Sequence, residues 1–167
     1  MKLYVMRHGP AEDDSPTGRD ADRALTASGR DRVRSVAKAL EKEGEAPAVV
    51  ISSPLVRALQ TAEIVAAQTG IAEPVEIRRE IAPGGDVLSL LVELVGAGRK
   101  RVMIVGHEPD LSMLVARLIG RTPPEGMLKA MVVGVKLTPE GAGIEGLGFA
   151  ASERFVLDPK SLAWQRS

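Results

Sequence analysis

The sequence contains no cysteine, which excludes disulfides, thiolate nucleophiles and sulfur-ligated metal sites. Aromatic side chains are almost as scarce. Tyr4, Phe149, Phe155 and Trp164 are the full set, too few for a stacking platform that grips single-stranded nucleic acid. Neither sign of charge predominates: Lys plus Arg and Asp plus Glu each number 22. Net charge therefore gives no general attraction to nucleic acid or to an anionic membrane, and neither is an expected partner. No apolar run approaches the length of a membrane span. The stretch before Arg7 is too short for the hydrophobic core of a signal peptide. The expected location is the cytoplasm.

What is present suits a folded domain. Of 167 residues, 44% are apolar and 26% charged, an ordinary globular balance, and the length suggests one domain over residues 1–167 with a core that needs no staples. Lys2 to Met6 reads as a short strand, and the Asp-rich stretch Ala11 to Arg23 as a loop. Thr26 is a suitable N-cap for a helix to about Glu43, with Val33, Val36, Ala37 and Leu40 at helical spacing. Ala48 to Ser52 and Arg101 to Val105 are continuous apolar runs, as expected of strands buried on both faces. Ser53-Pro54 reads as an N-cap followed by Pro at the first helical position, opening a helix to about Thr69. Val75 to Arg78 reads as a strand, Asp86 to Val95 and Leu111 to Ile119 as helices, and Met131 to Leu137 and Arg154 to Leu157 as strands. Gly143 to Phe149 is ambiguous between strand and loop, and the tail from Pro159 is expected to be loosely held. Strands alternating with helices predict an α/β fold: a mostly parallel central sheet flanked by helices on both faces.

That architecture gives the two histidines a meaning. His8 follows the first strand and His107 the strand Arg101 to Val105, at the carboxyl edge where open α/β sheets bind ligands. Arg7 adjoins His8, Arg57 lies just beyond the second strand, and Glu80 follows the third. Guanidinium groups match phosphate oxygens, a helix start near Pro54 would add a favourable dipole, and Gly9 would let backbone approach an anion closely. A neutral imidazole can attack phosphorus, and nearby arginines disfavour its protonated form. Phosphoryl transfer needs little more than in-line positioning and neutralised charge.

Singly, each residue has a plainer reading. A His-Gly pair is usually a turn, Arg57 a solvated helix residue, His107 a loop residue satisfied by backbone. A metal held by the two histidines and Glu108 lacks the spacing of a helical zinc pair; no metal and no cofactor are expected. The convergence of four segments favours the anion site.

Three separated motifs carry a resemblance. Met6-Arg7-His8-Gly9 with its strand, Ser52 to Glu63 with Arg57 at its centre, and Val105-Gly106-His107-Glu108-Pro109 resemble, in order, the signatures of the histidine phosphatase superfamily. The short chain, the Leu25-Thr26 helix start and the loop Pro83 to Asp86 resemble its SixA-type phosphohistidine phosphatases. The resemblance implies a phosphoglycerate mutase-like fold and a cofactor-independent phosphatase. In it His8 is the nucleophile, while Arg7, Arg57 and His107, with the Gly9 backbone, bind the phosphoryl group. Glu80, or failing that Asp86, would protonate the leaving group. A phosphohistidine leaving group can take its proton from solvent, and then Glu80 is structural or solvated.

With no large insertion to form a lid, the site is expected to be open and to suit a phosphorylated protein side chain. Small phosphorylated metabolites are the alternative substrates, and a non-catalytic phosphate-binding module the alternative function. The acidic stretch before Leu25, including Glu12, Asp13, Asp14, Asp20 and Asp22, reads as a solvated loop or as a rim that repels acidic competitors.

Overall fold

The computed structural model describes residues 1–140, 143–144 and 146–167. Seven strands form one sheet in the order β3-β2-β4-β1-β5-β6-β7. They are β1 (Lys2–Arg7), β2 (Val49–Ser52), β3 (Glu76–Ile77), β4 (Arg101–Gly106), β5 (Val132–Pro139), β6 (Phe149–Leu157) and β7 (Trp164–Arg166). The helices are α1 (Ala27–Lys42), α2 (Val56–Gln68), α3 (Val87–Gly96) and α4 (Asp110–Ile119). Strands β1 to β4 run parallel, whereas β5 pairs antiparallel with β1 and leads through an antiparallel meander to β7. The sheet is thus mixed: the strands that alternate with helices form its parallel half, and the last three strands run antiparallel. Among the described residues, no helix is long and apolar enough to cross a membrane.

Successive residues of a strand face opposite sides, and β1 shows why its run is apolar throughout. Leu3 and Val5 enter a core built with Leu90, Leu91 and Leu94 of α3 and Leu111, Leu114 and Val115 of α4. Tyr4 and Met6 enter a second core with Val33, Val36 and Leu40 of α1 and Ala58, Ala62 and Val65 of α2. Helices therefore cover both faces of the sheet.

The punctuation is largely as the sequence suggests. Thr26 caps α1 through its side chain, accepting from the Gly29 amide at 2.9 Å. Asp86 caps α3, accepting from Ser89 at 3.1 Å. The start of the second helix differs: α2 begins at Val56 with Leu55 as its N-cap, and the Ser53 hydroxyl supplies no helix cap. The C-terminal tail also differs. Trp164–Arg166 pairs with β6 as β7, because Trp164 packs on the Phe155 ring with centroids 4.7 Å apart. Of the Gly-rich segment Gly141 to Gly148, residues 141, 142 and 145 lie outside the described residues. Beside them, the Ile144 amide donates to the Phe149 carbonyl at 2.8 Å, so pairing resumes at the start of β6.

Candidate active site

Register places the site. In the parallel ladders Met6 pairs with Val105 and Arg7 with Gly106, while Ser52 pairs with Val105 from the other side of β4. The next residue of each strand, His8, His107 and Ser53, therefore emerges at the same carboxyl edge. Backbone bonds continue just past the strands and brace these ends: His8 N–H donates to Gly106 O at 3.1 Å and Ser53 N–H to Val105 O at 3.1 Å. The Ala130 amide closes the other flank, donating to the carbonyls of Arg7 and His8. The two imidazoles lie with ring centroids 5.3 Å apart. His8, Arg57 and His107 are only 6%, 6% and 4% exposed, which makes their hydrogen-bond partners decisive.

His8 Nδ1 lies 2.7 Å from the carbonyl of Gly9. A carbonyl can only accept, so Nδ1 carries the proton and Nε2 keeps its lone pair. Burial pushes the His8 pKa down to about 3. The Gly9 carbonyl opposes that shift, and His107, Arg57 and Arg7 add to it. The ring is therefore neutral at physiological pH, with one nucleophilic nitrogen.

His107 is oriented from its other side. Its Nε2 lies 2.7 Å from the hydroxyl of Ser53, and that hydroxyl already accepts from the Leu55 amide at 3.2 Å. Ser53 is fully buried and its hydroxyl touches no other acceptor among the described residues, so its proton is satisfied only by pointing at Nε2, which leaves the imidazole proton on Nδ1. Burial, then the Arg57 charge, lowers the His107 pKa to about 4.

The arginines show a matching pattern. Arg7 Nη1 donates to the carbonyl of Met127 at 2.8 Å. Arg57 Nη1 donates to the carbonyl of Asp20 at 3.0 Å and Nη2 to its carboxylate at 3.1 Å. Arg57 has both terminal nitrogens fastened to protein and Arg7 has Nη1 fastened, and in each guanidinium Nε is left over. Among the described residues, the buried side-chain nitrogens without a hydrogen-bond partner are Arg7 Nε, Arg57 Nε and His107 Nδ1. A buried N–H without an acceptor is costly. Three of them, all on residues grouped at the strand ends beside His8, amount to a donor set for an anion such as a phosphoryl group.

Three expectations need correction. Gly9 gives no amide to an anion: its N–H donates to Thr61 Oγ1 at 3.0 Å, and Thr61 in turn donates to the Arg57 carbonyl at 2.8 Å. Glycine is required there by packing, since a Cβ would lie 2.7 Å from Val33 Cγ2 and 3.3 Å from the Gly29 carbonyl oxygen. Glu80 does reach this edge of the sheet, but its carboxylate is clamped by Arg78, at 2.6 Å from Nη2 and 3.3 Å from Nε. The Arg78 hydrogen bonds hold its pKa below the ordinary carboxylate value, which disfavours it as a proton donor. Asp86 is occupied as the α3 cap. The free donors beside α2 are those of Arg57 and His107, and the helix starts at Val56 rather than at Pro54. Ser53, Thr61 and Met127 are residues that sequence reasoning left out of the site, and Asp20, read only as part of an acidic loop or rim, joins them through Arg57. Ser53 and Thr61 stand inside the second motif, and the signal available was only that they are small hydroxyls beside Arg57.

Comparison with known proteins identifies the family and the fold. The family model for the histidine phosphatase superfamily (branch 1) matches residues 3–82. Phosphohistidine phosphatase SixA of Escherichia coli (strain K12) is 34% identical over 147 residues, covering 86% of this chain and 89% of that one. The solved structure of a protein histidine phosphatase SixA complexed with tungstate superposes with a TM-score of 0.83 at 28% identity, over 98% of this chain and all of that one. A mycobacterial glucosyl-3-phosphoglycerate phosphatase complexed with VO3 superposes at 0.67 with 18% identity, covering 91% and 96% of the two chains, a likeness of fold.

Proposed function

The chain belongs to the histidine phosphatase superfamily, and we propose that it is a cofactor-independent phosphohistidine phosphatase of the SixA type, with His8 as its nucleophile. The observation that carries this reading is the set of three unpartnered buried donors, Arg7 Nε, Arg57 Nε and His107 Nδ1, grouped with an imidazole whose Nε2 lone pair is free. Tungstate, bound by a relative of the same fold, is an oxyanion that such donors would also hold.

In the proposed reaction the Nε2 lone pair of His8 attacks phosphorus. The N–P bond of the substrate breaks and its electron pair stays on the departing imidazole nitrogen. The arginines and His107 neutralise the charge spreading over the phosphoryl oxygens. Water then attacks the phosphorylated His8, the Nε2–P bond breaks with its electrons returning to Nε2, and inorganic phosphate leaves with the water's second proton lost to solvent.

The acid inventory favours a phosphorylated nitrogen over an ester. Glu80 is held as a carboxylate by Arg78, and hydrogen bonding from Arg23 keeps Asp20 ionised. Glu108 accepts from both the amide and the hydroxyl of Ser112. An alkoxide leaving group needs a proton donor, whereas the imidazole of phosphohistidine can be protonated from water before the N–P bond breaks. The link from β3 to α3 is short, residues 78–86 with a single 3-10 turn, which supports a mouth wide enough for a protein side chain.

The test is phosphate release in excess chelator from a phosphohistidine-bearing protein and from a panel of small phosphate esters. Faster turnover of the phosphohistidine supports the reading. Preference for an ester would assign the chain to metabolite phosphatases, and phosphate binding without any turnover would assign it to non-catalytic modules.

A further inference from the structure

We propose that Asp20 is a specificity-determining residue of this site, which favours substrates whose phosphoryl group departs from a basic nitrogen and disfavours those with an anionic leaving group. The inference rests on the phosphatase reading above and narrows its substrate class.

Asp20 opens the 3-10 turn Asp20–Asp22, in the loop that leaves the first motif, and two arginines hold its carboxylate there. One carboxylate oxygen accepts from Arg57 Nη2 at 3.1 Å and the other from Arg23 Nε at 2.9 Å. Arg23 is itself tied to the Glu12 carbonyl at 2.9 Å. The Asp20 side chain is 66% exposed while that of Arg57 is 7% exposed. The pair thus runs from the interior to the surface, with the guanidinium at the floor of the site and the carboxylate at its mouth. The Asp20 charge also reaches His107.

Such an arrangement separates two tasks. The phosphoryl group is drawn to the floor by Arg7 and Arg57. Whatever the phosphoryl is attached to must stand nearer the mouth, beside Asp20. The surface beside it is acidic too: Asp13 and Asp14 line one hollow with Asp20, Arg19 and Arg23, and Arg19 is already paired with Asp22. The ring of phosphohistidine takes positive charge when its second nitrogen is protonated, and it leaves as neutral imidazole once the N–P electron pair returns to the first nitrogen. A fixed carboxylate lowers the energy of that cationic ring. A phosphorylated hydroxy acid would place its own carboxylate in the same field and be repelled.

Asp20 is exposed, so water screens it, and the discrimination expected is about five- to tenfold at low salt, the range for single charges a few ångströms apart near a surface. Asp20→Asn is the informative variant. The amide oxygen can still accept from Arg57 Nη2 and the Asp20 carbonyl still accepts from Nη1, so the guanidinium stays in place while the charge and the bond from Arg23 Nε are lost. Asp20→Glu keeps the charge. The experiment measures affinities of inorganic phosphate and 3-phosphoglycerate by calorimetry for the three proteins. It also compares kcat/KM on a phosphohistidine peptide and on 3-phosphoglycerate. The proposal expects the affinity of 3-phosphoglycerate relative to phosphate to rise about five- to tenfold in Asp20→Asn and to stay near wild type in Asp20→Glu. The preference for phosphohistidine should fall in the first variant alone. An unchanged affinity ratio in Asp20→Asn, loss of phosphate binding altogether, or an equal shift in Asp20→Glu would overturn it. A wild-type protein that binds phosphate but never hydrolyses phosphohistidine would instead overturn the phosphatase reading, and the binding ratio would still decide the role of Asp20.

Discussion

The hydroxyl of Ser53, at the end of β2, lies 2.7 Å from Nε2 of His107, at the end of β4. This contact fixes the tautomer of a buried imidazole, because the hydroxyl is itself buried and Nε2 is the one acceptor within its reach among the described residues. A donor at Nδ1 is the outcome, and the Nδ1 hydrogen is one of three that lie buried without a partner among the described residues.

Ser53→Ala should therefore lower kcat while barely changing the fold. Without the hydroxyl, Nε2 loses its partner and the imidazole can turn or carry its proton on the wrong nitrogen. A fall in kcat of about tenfold, near 1.4 kcal/mol of transition-state stabilisation, is expected in steady-state assays. A rate equal to wild type would remove Ser53 from the site.

The histidines predict how stability varies with pH. Folded pKa values of about 3 for His8 and about 4 for His107 lie below the unfolded value near 6.5. Between these limits the unfolded chain binds more protons, so acid favours unfolding. The contribution is complete above about pH 6.5 and is lost as pH falls toward 4 and below. Urea titrations from pH 7.5 to 4.5 in buffers free of phosphate should show this decline. His8→Ala should reduce its slope; an identical slope would contradict the buried, neutral assignment.

Gly9→Ala should destabilise the fold by roughly 1–3 kcal/mol, the usual cost of overpacking a filled core. The added Cβ meets Val33 and the Gly29 carbonyl of α1. A combined Gly9→Ala, Val33→Ala variant should lose less stability than the two single changes summed, which thermal melts can establish. Strict additivity would show that α1 is not what demands glycine.

Glu80→Gln should leave kcat on phosphohistidine within about threefold of wild type, far short of the 10²–10⁴ that a lost general acid costs. Its carboxylate serves Arg78, which also binds Glu93. A hundredfold loss would make Glu80 the proton donor after all.

Much of this was legible in the chain itself. The buried strands Val49–Ser52 and Arg101–Gly106 announce themselves as unbroken apolar runs, and parallel pairing then carries His8 and His107 to one edge. Thr26 and Asp86 cap helices where they stand in the sequence. Reasoning from residues failed where a side chain's partner lies far along the chain. The amide of Gly9 is claimed by Thr61, 52 positions on. Asp20 looks like one more solvated acid until Arg57, 37 positions away, is seen to hold it. The tail looks loose because a three-residue strand has too little pattern to recognise, and the Phe155 ring that Trp164 packs on belongs to the neighbouring strand.

The central claim is that a phosphoryl group passes through His8. Brief incubation with a phosphohistidine-bearing protein, an alkaline quench and mass spectrometry of the digested phosphatase would test it directly. The account predicts a phosphoryl group on the peptide containing His8, lost again as phosphate appears, and neither label nor phosphate with His8→Ala. Phosphate release at the wild-type rate from His8→Ala, or a label that maps only to His107, would contradict it.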